Sequence, residues 1–458
     1  MKYNQPLDQP SNPTAPYING NPAAGIQGSI VPGESIEYDQ REIIEVITRA
    51  NVRGYTDFSG SACLTPANSD LTQLRKAIEG FITNWQFIIS TEVTFTVHGS
   101  GADFADLNDA FAYLGKYRIT PTGHVILQLA GAAAGSAQAA RYLYTRPIVV
   151  NHPNNDRISI FGAPMLAPVS RTDAGYAWNG NSAAQRSADT QTNLSIMRTK
   201  FATELQFSGR LFGGWFPVAG MQIIGSCLQH LDGILFTGDG VNDQGSGVLF
   251  MCAGSLNNLP RTMAPDSPWA YDGLAAINFR MGSGFNFDVG SCVSSWGQTP
   301  DQNFNTCFFA FGCANGIAIT NGGFITAFGN AVCLGNDSSG FYLWPRSGTQ
   351  WDGGLFCNAN AGQGIQCYLS STGYLNFPQV AGQGFTPSHC YRNAGYGLWA
   401  QQTNATCQID FGAGGNANGA GSIWANGNTG IIVASSQNFV GTCTPAYNTV
   451  GNGNSMIH

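Results

Sequence analysis

Acid–base cleavage of a polysaccharide needs two carboxylates about 5 to 10 Å apart, one to protonate the leaving oxygen and one to act as base or nucleophile. Beyond residue 200 this sequence holds a single glutamate, so any such pair there must be Asp–Asp. The candidates are Asp239 and Asp243 in "GDGVNDQG", Asp266 and Asp272 in "APDSPWAYDG", and Asp301. Each also reads as a solvated turn residue, because Asp-Gly and Asn-Asp are turn chemistry. Asp239, Asn242 and Asp243 do not have the spacing of a calcium loop.

Tryptophan offers a second chemistry. Trp269, Trp296, Trp344, Trp351, Trp399 and Trp424 all fall in the same half. Aromatic rings stack on the apolar faces of sugars while neighbouring amides bond the hydroxyls, so these are candidate glycan contacts; core or subunit-interface packing is the competing reading. His230 and His389 have no argued serine and aspartate companions, and no phosphate loop is present. Eleven of the twelve cysteines lie between Cys227 and Cys443, with no C-x-x-C and no zinc spacing, and read as buried thiols or disulfides. Neither a metal nor a cofactor is expected.

These residues sit in a charge-poor chain. Charged residues are 10% of the 458, against roughly 25% in an average globular protein. From residue 201 onward, one Glu and ten Asp against five Arg leave a net charge of −6 out of −7. A free monomer usually keeps a more charged surface, so this half is covered by neighbouring subunits or by Asn, Gln, Ser and Thr. No basic patch supports nucleic-acid binding, no run of 18 apolar residues could span a membrane, and "MKYNQPLDQP" lacks the apolar core of a secretory signal.

The elements that must position the candidates change along the chain. The stretch "PYINGNPAAGIQGSIVPGESIEYDQREIIEV" begins without periodicity, so residues 1–38 are expected to be an extended arm that lies on another molecule, or a tail. "DQREIIEVITRA" reads as a helix over 39–50, with Asp39 and Glu42 in capping-box spacing and Ile43, Ile44, Val46 and Ile47 as its stripe. A second helix is expected from Ser69 to about Ile82, with Leu71, Leu74, Ile78 and Phe81 or Ile82 inward. "TEVTFTV" alternates as a strand, and Phe104, Leu107, Phe111 and Leu114 share one helical face. "HVILQLA", "RPIVVNH" and "RISIFGA" read as short strands, and 164–205 as a polar, less regular excursion.

From about Phe207 short strands repeat with Gly and Asn turns. Gly316, Gly340, Gly364, Gly397 and Gly421 each open a Gly-x-x-x unit, at steps of 24, 24, 33 and 24. Asn315, Asn336, Asn360, Asn393 and Asn418 precede them. One such repeat cannot bury its own face, so successive repeats must stack, with Asn and Ser in ladders at bends that need positive φ. The competing architecture is an antiparallel sandwich with irregular repeats.

"FTVHGSGADFADLNDAFAYL" with "YTRPIVVNHPNNDRISIFGAP" resembles the first coils of pectin-methylesterase-like β-helices, and more closely the versions found in bacteriophage tail spikes and tail fibres. "NGNPAAGIQGSIVPGESIEYDQREIIEVI" followed by "NSDLTQLRKAI" resembles the N-terminal virion-attachment region of phage tail proteins. The two matches cover about a third of the chain, residues 16–164. Pectin methylesterases carry two aspartates and an arginine in motifs that this sequence lacks; "DGILFTGDG" and "NFDVG" are only loosely similar, so esterase activity is not implied.

The expected fold is mainly β: a right-handed parallel β-helix (solenoid) preceded by an extended arm and a small helical segment. The expected divisions are 1–38 as a docking arm, 39–88 as a helical trimerisation segment, 89–206 as the first coils with a capping helix, and 207–458 as the solenoid body. The resemblance implies a homotrimeric virion appendage assembled in the host cytoplasm. It would dock on a tail, baseplate or collar protein through residues 1–50, notably Tyr17, Ile18, Ile26, Ile30, Ile43 and Ile47, and bind a host surface polysaccharide. The alternatives are a purely structural tail or collar component, a depolymerase using an Asp pair, and a secreted monomeric carbohydrate-active β-helix. Scarcity of Glu leans against the enzyme.

Overall fold

The computed structural model describes residues 21–27, 33–55, 57, 61–63, 65–66, 72–85, 87–133, 135–170, 172–209, 219–225, 227–241, 245–251, 255–256, 273–288, 292–295, 307–327, 330–352, 354–368, 372–376, 389–401, 404–407, 417–426, 430–433, 443–444 and 456–457. The chain divides into two compact units, Met1–Ile88 with Lys116–Arg118, and Ile89–Gly115 with Ile119–His458.

The first unit is built on two helices, α1 (Gly33–Val52) and α2 (Gln73–Trp85). Helix α1 starts six residues before the expected Asp39, which lies inside it, so Asp39 is no cap. The two helices share a small core of Ile47, Ala50, Cys63 and Ala77, flanked by Val46, Tyr55, Leu74 and Phe81. The expected stripes are corrected here. Ile43, Ile44 and Ile78 are 41%, 49% and 46% exposed, because α1 and α2 meet along Ala50 and Ala77, where small side chains let the backbones approach.

The second unit is mainly β, with long, all-parallel sheets stacked in register, an arrangement consistent with a parallel β-solenoid. Sheet A orders the strands Glu92–Val97, His124–Leu129, Ile158–Phe161 and His230–Asp232. Sheet B has seven strands, from Ala140–Tyr144 through Thr203–Phe207 and Phe308–Phe311 to Leu355–Asn358. Sheet C has ten, from Ile148–Val150 to Cys443–Thr444, and sheet D seven, from Cys292–Ser295 to Met456–Ile457. The interior is filled by stacked large side chains such as Phe250 on Phe287, centroids 4.6 Å apart. The opening helix of this unit, α3 (Leu107–Leu114), is capped by Asp106 and buries Leu107, Ala110, Phe111 and Leu114. No α-helix follows Arg198 among the described residues.

The polar stretch 164–205 is not irregular. It contains α4 (Ala183–Arg198), opened by Ser182, whose hydroxyl accepts from Gln185 N, and the sheet B strand Thr203–Phe207. Residues 164–200 form a strap along the outward face of sheet B. Met165, Val169, Tyr176, Leu194 and Met197 pack on Leu235, Ile277, Phe309, Phe311, Leu334 and Phe356. The face of α4 that is buried is largely polar: Arg186, Asp189, Thr190 and Asn193 join Leu194 and Met197.

The glycine period corresponds to in-register rungs of sheet C. Ile317 faces Phe341, then Ile365, Leu398 and Ile423. The last step is 25 residues, not 24: Tyr396 faces Gly421, and Leu398 faces Ile423. The glycines are required by close approach. A Cβ on Gly340 would sit 2.7 Å from Cys357 Cβ and 2.9 Å from Gly364 O, and one on Gly364 2.7 Å from Gly397 O.

Candidate functional site

Five successive rungs turn from sheet B into sheet C through a left-handed residue. Asn278, Gly312, Gly335, Ala359 and Arg392 take φ of 69°, 62°, 63°, 56° and 55° in successive rungs. Immediately past the last three of these bends stand Asn336, Asn360 and Asn393, which point inward and form a ladder with Asn418. The Asn336 backbone N–H and Nδ2 both donate to Asn360 Oδ1 at 2.9 Å. Asn360 repeats this on Asn393 (3.0 and 2.8 Å), and Asn393 on Asn418 (3.1 and 2.8 Å). Nδ2 of Asn393 and Asn418 also reach Cys357 O and Cys390 O, both at 2.9 Å. Each buried amide thus has its donors and acceptor satisfied within the stack, which locks one rung to the next. Asn315 stands outside this ladder, its Oδ1 accepting from Ser339 N.

With the rungs fixed, the outward side chains of sheet C fall into rows at roughly 4.8 Å spacing. One row runs Asn286, Ala318, Tyr342, Gln366, Trp399, Trp424. A parallel row, two residues on, carries Trp344 and then Tyr368, Gln401 and Asn426. Aromatic residues on both rows join into one strip. Tyr342 stacks on Trp344 at 5.5 Å, Trp344 on Tyr368 at 4.8 Å, Tyr368 on Trp399 at 5.5 Å, and Trp399 on Trp424 at 5.0 Å. Trp399 and Trp424 are 4° from parallel, the other pairs 23° to 27°.

All five rings are half-buried. Centroid spacings of 4.8 to 5.5 Å are close to the separation of neighbouring strands, so the strip keeps step with the rungs that carry it. Gln366, Gln401 and Asn426 are half-buried beside them, and Ser339 Oγ meets Gln366 Oε1 at 2.8 Å. Burial, with the Tyr368 phenol as a lesser cause, pushes the Tyr342 hydroxyl up to about 12, so it stays a neutral donor at physiological pH. Stripped of charge but edged with amides and hydroxyls, the strip has the chemistry of a sugar-binding face.

The structure divides the sequence candidates. Trp344, Trp399 and Trp424 stand in the strip. Trp351 is corrected: it points into the interior, fully buried against Phe308 and Phe341, and offers no face to a ligand. Trp269, Trp296, Asp243, Asp266, Asp272 and Asp301 lie outside the described residues. The carboxylate of Asp239 accepts backbone N–H bonds from Val241 (3.0 Å) and Gly209 (3.1 Å), which is turn chemistry. Of the residues expected to dock on a virion, Ile26 is 49% exposed, Ile43 is exposed and Ile47 is buried, whereas Tyr17, Ile18 and Ile30 lie outside the described residues. Sequence reasoning missed Tyr342 and Tyr368; aligning the rungs on their glycines puts Tyr342 in the row of Trp399.

His389 is not alone. Its Nε2 lies 2.8 Å from Asp173 Oδ2, which also accepts from Asn358 Nδ2 at 2.9 Å. This pair ties the strap to the end of sheet B, as do Asn181 Nδ2 to Arg392 O (2.9 Å) and the Arg392 guanidinium over the Trp178 ring (5.2 Å). Midway along, Asp337 receives Arg186 (2.8 Å) and Arg280 (3.0 Å). Among the described residues no group of three or more His, Cys, Asp or Glu is placed to hold a metal ion, and no helix is long and apolar enough to cross a membrane.

No protein-family model matches the chain, and a search of curated proteins finds no similar sequence.

Proposed function

We propose that the chain is a bacteriophage virion appendage, a tail spike or tail fibre, that attaches to the particle through its N-terminal residues and carries a glycan-binding strip on a right-handed parallel β-helix. The observation that carries this reading is the uncharged strip Tyr342–Trp344–Tyr368–Trp399–Trp424, held on in-register rungs and flanked by amides. A binding surface on a locked scaffold loses little conformational freedom when a ligand arrives. Support for the virion comes from the resemblance of residues 16–164 to phage tail proteins. Support for a trimer comes from the lack of charge after residue 200.

The test is retention of the full chain on immobilised bacterial surface polysaccharides. Replacing Trp399 and Trp424 together by alanine is expected to weaken binding by about 5- to 150-fold, since each stacked ring contributes roughly 0.5–1.5 kcal/mol. Retention unchanged by the double substitution would remove the strip from the binding surface. A second reading, a purely structural tail or collar component, is favoured by the same stacking, because rings that cover much of each other also suit a contact between subunits.

A further inference from the structure

One corner beside the strip is built against its backbone preference. Trp344, Pro345, Arg346 and Ser347 form a four-residue turn, closed by Ser347 N to Trp344 O at 3.2 Å, with Arg346 in its third position at φ 61°. A turn with proline second and positive φ third ordinarily takes glycine there, because a Cβ is strained in that region. The preceding rung does so: Phe324 faces Gly348, which sets Gly322, at φ 85°, opposite Arg346. Arg346 is exposed, and no carboxylate or hydrogen-bond acceptor meets its side chain among the described residues.

That makes it unlike the other described arginines of this half. Arg280 is paired with Asp337, and Arg392 lies over Trp178. Only five arginines and no lysine occur after residue 200, and this one stands two residues beyond Trp344, at the border of an otherwise uncharged strip. Strained backbone positions cluster at ligand sites, and unlike the sheet B bends at Asn278, Ala359 and Arg392, this one borders the aromatic strip. A guanidinium donates two parallel N–H bonds to a carboxylate, and a desolvating aromatic neighbour strengthens such bonds.

We infer that the strip takes an acidic glycan: a chain of pyranose residues lying along the rungs from Trp344 to Trp424, with one sugar carboxylate bound by Arg346 at the Trp344 end. This rests on the glycan reading above and adds its charge class and its polarity. The strip spans four rungs, and an extended pyranose chain advances by roughly one rung spacing per unit, so about three to four units are covered. The amides of Gln366, Gln401 and Asn426 face the neutral units.

The test uses the full-length chain and a panel of polygalacturonate, alginate, hyaluronate and polysialate, each beside its carboxyl-reduced form, at low ionic strength. At least one acidic member is expected to bind about tenfold or more tightly than its reduced form, as a charge-assisted pair contributes. Arg346→Gly should erase that difference by lowering the affinity for the acidic form, with a Tm that is unchanged or slightly raised because glycine relieves the left-handed backbone; Trp399→Ala should weaken both forms. Equal binding of acidic and reduced forms, or an Arg346→Gly variant that keeps the preference, overturns the acidic assignment. The glycan reading survives that outcome if Trp399→Ala still weakens binding. A marked fall in Tm on Arg346→Gly overturns the assignment too, since the arginine would then hold the fold. If no member binds in either form, both readings fall, and a lower molar mass for Trp399→Ala would mark the strip as a contact between copies.

Discussion

Asn360 shows how one residue type does three tasks here. Its Oδ1 accepts two bonds from the rung before, its own N–H and Nδ2 donate to the rung after, and its side chain is fully buried. Glutamine would be too long for that register, and aspartate would lack the donor. The thiols beneath the ladder make a different contribution. Loss of hydration pushes Cys313 and Cys367 up to about 12 and raises Cys333 well above its ordinary 9.0. In the unfolded chain these thiols ionise near pH 9, so the stability they contribute is complete below pH 9 and is lost as pH climbs from there toward 12. The Tm should therefore fall steeply above pH 9, and Cys367→Ala should make that fall shallower. A Tm profile flat to pH 11 would show that the thiols are not shielded.

At the scale of elements, the strap is held by polar contacts that leave little room. Gly312 is at φ 62°, and a Cβ there would lie 2.3 Å from Thr190 Oγ1 of α4. Gly312→Ala is expected to destabilise the fold by about 2–4 kcal/mol, from the left-handed backbone and the displaced helix together. Thermal unfolding checks this, and Thr190→Ala in the same chain should recover part of the loss. The same element explains what could be read in advance and what could not. The stacked rungs were legible because Gly316, Gly340 and Gly364 recur where Cβ atoms would collide with the next rung. Helix α4 was not, because the residues it buries at helical spacing are Arg186, Asp189, Thr190 and Asn193, and a hydrophobic periodicity cannot register them. Its one sequence signal was Ser182 three residues before Gln185. The strip was half legible: its tryptophans were candidates, but only the register shows that Tyr342 and Tyr368 join them and that Trp351 turns inward.

For the molecule as a whole, a stack of rungs that touch only their neighbours would melt piecemeal. The strap counters this by bonding to rungs far apart in sequence, with separations of 151, 185 and 211 residues for Arg186–Asp337, Asp173–Asn358 and Asn181–Arg392. Under the proposed function the nearly uncharged second half belongs to an assembled appendage. Light scattering on the purified full-length chain should give a mass near three times 48.5 kDa at micromolar concentration. A stable monomer would count against the trimeric appendage.

The long reach of the strap also sets an order of events at the ribosome. Asp173 leaves the exit tunnel 216 residues before His389. At about 5–20 residues per second, that is a wait of roughly 10 to 40 s during which Met165, Tyr176, Leu194 and Met197 have only part of the surface that will cover them. The rungs can add one by one as they are made, each templated by the last. The strap closes fully only when the rung bearing His389 and Arg392 is in place, so its docking reports that most of the chain has been correctly built.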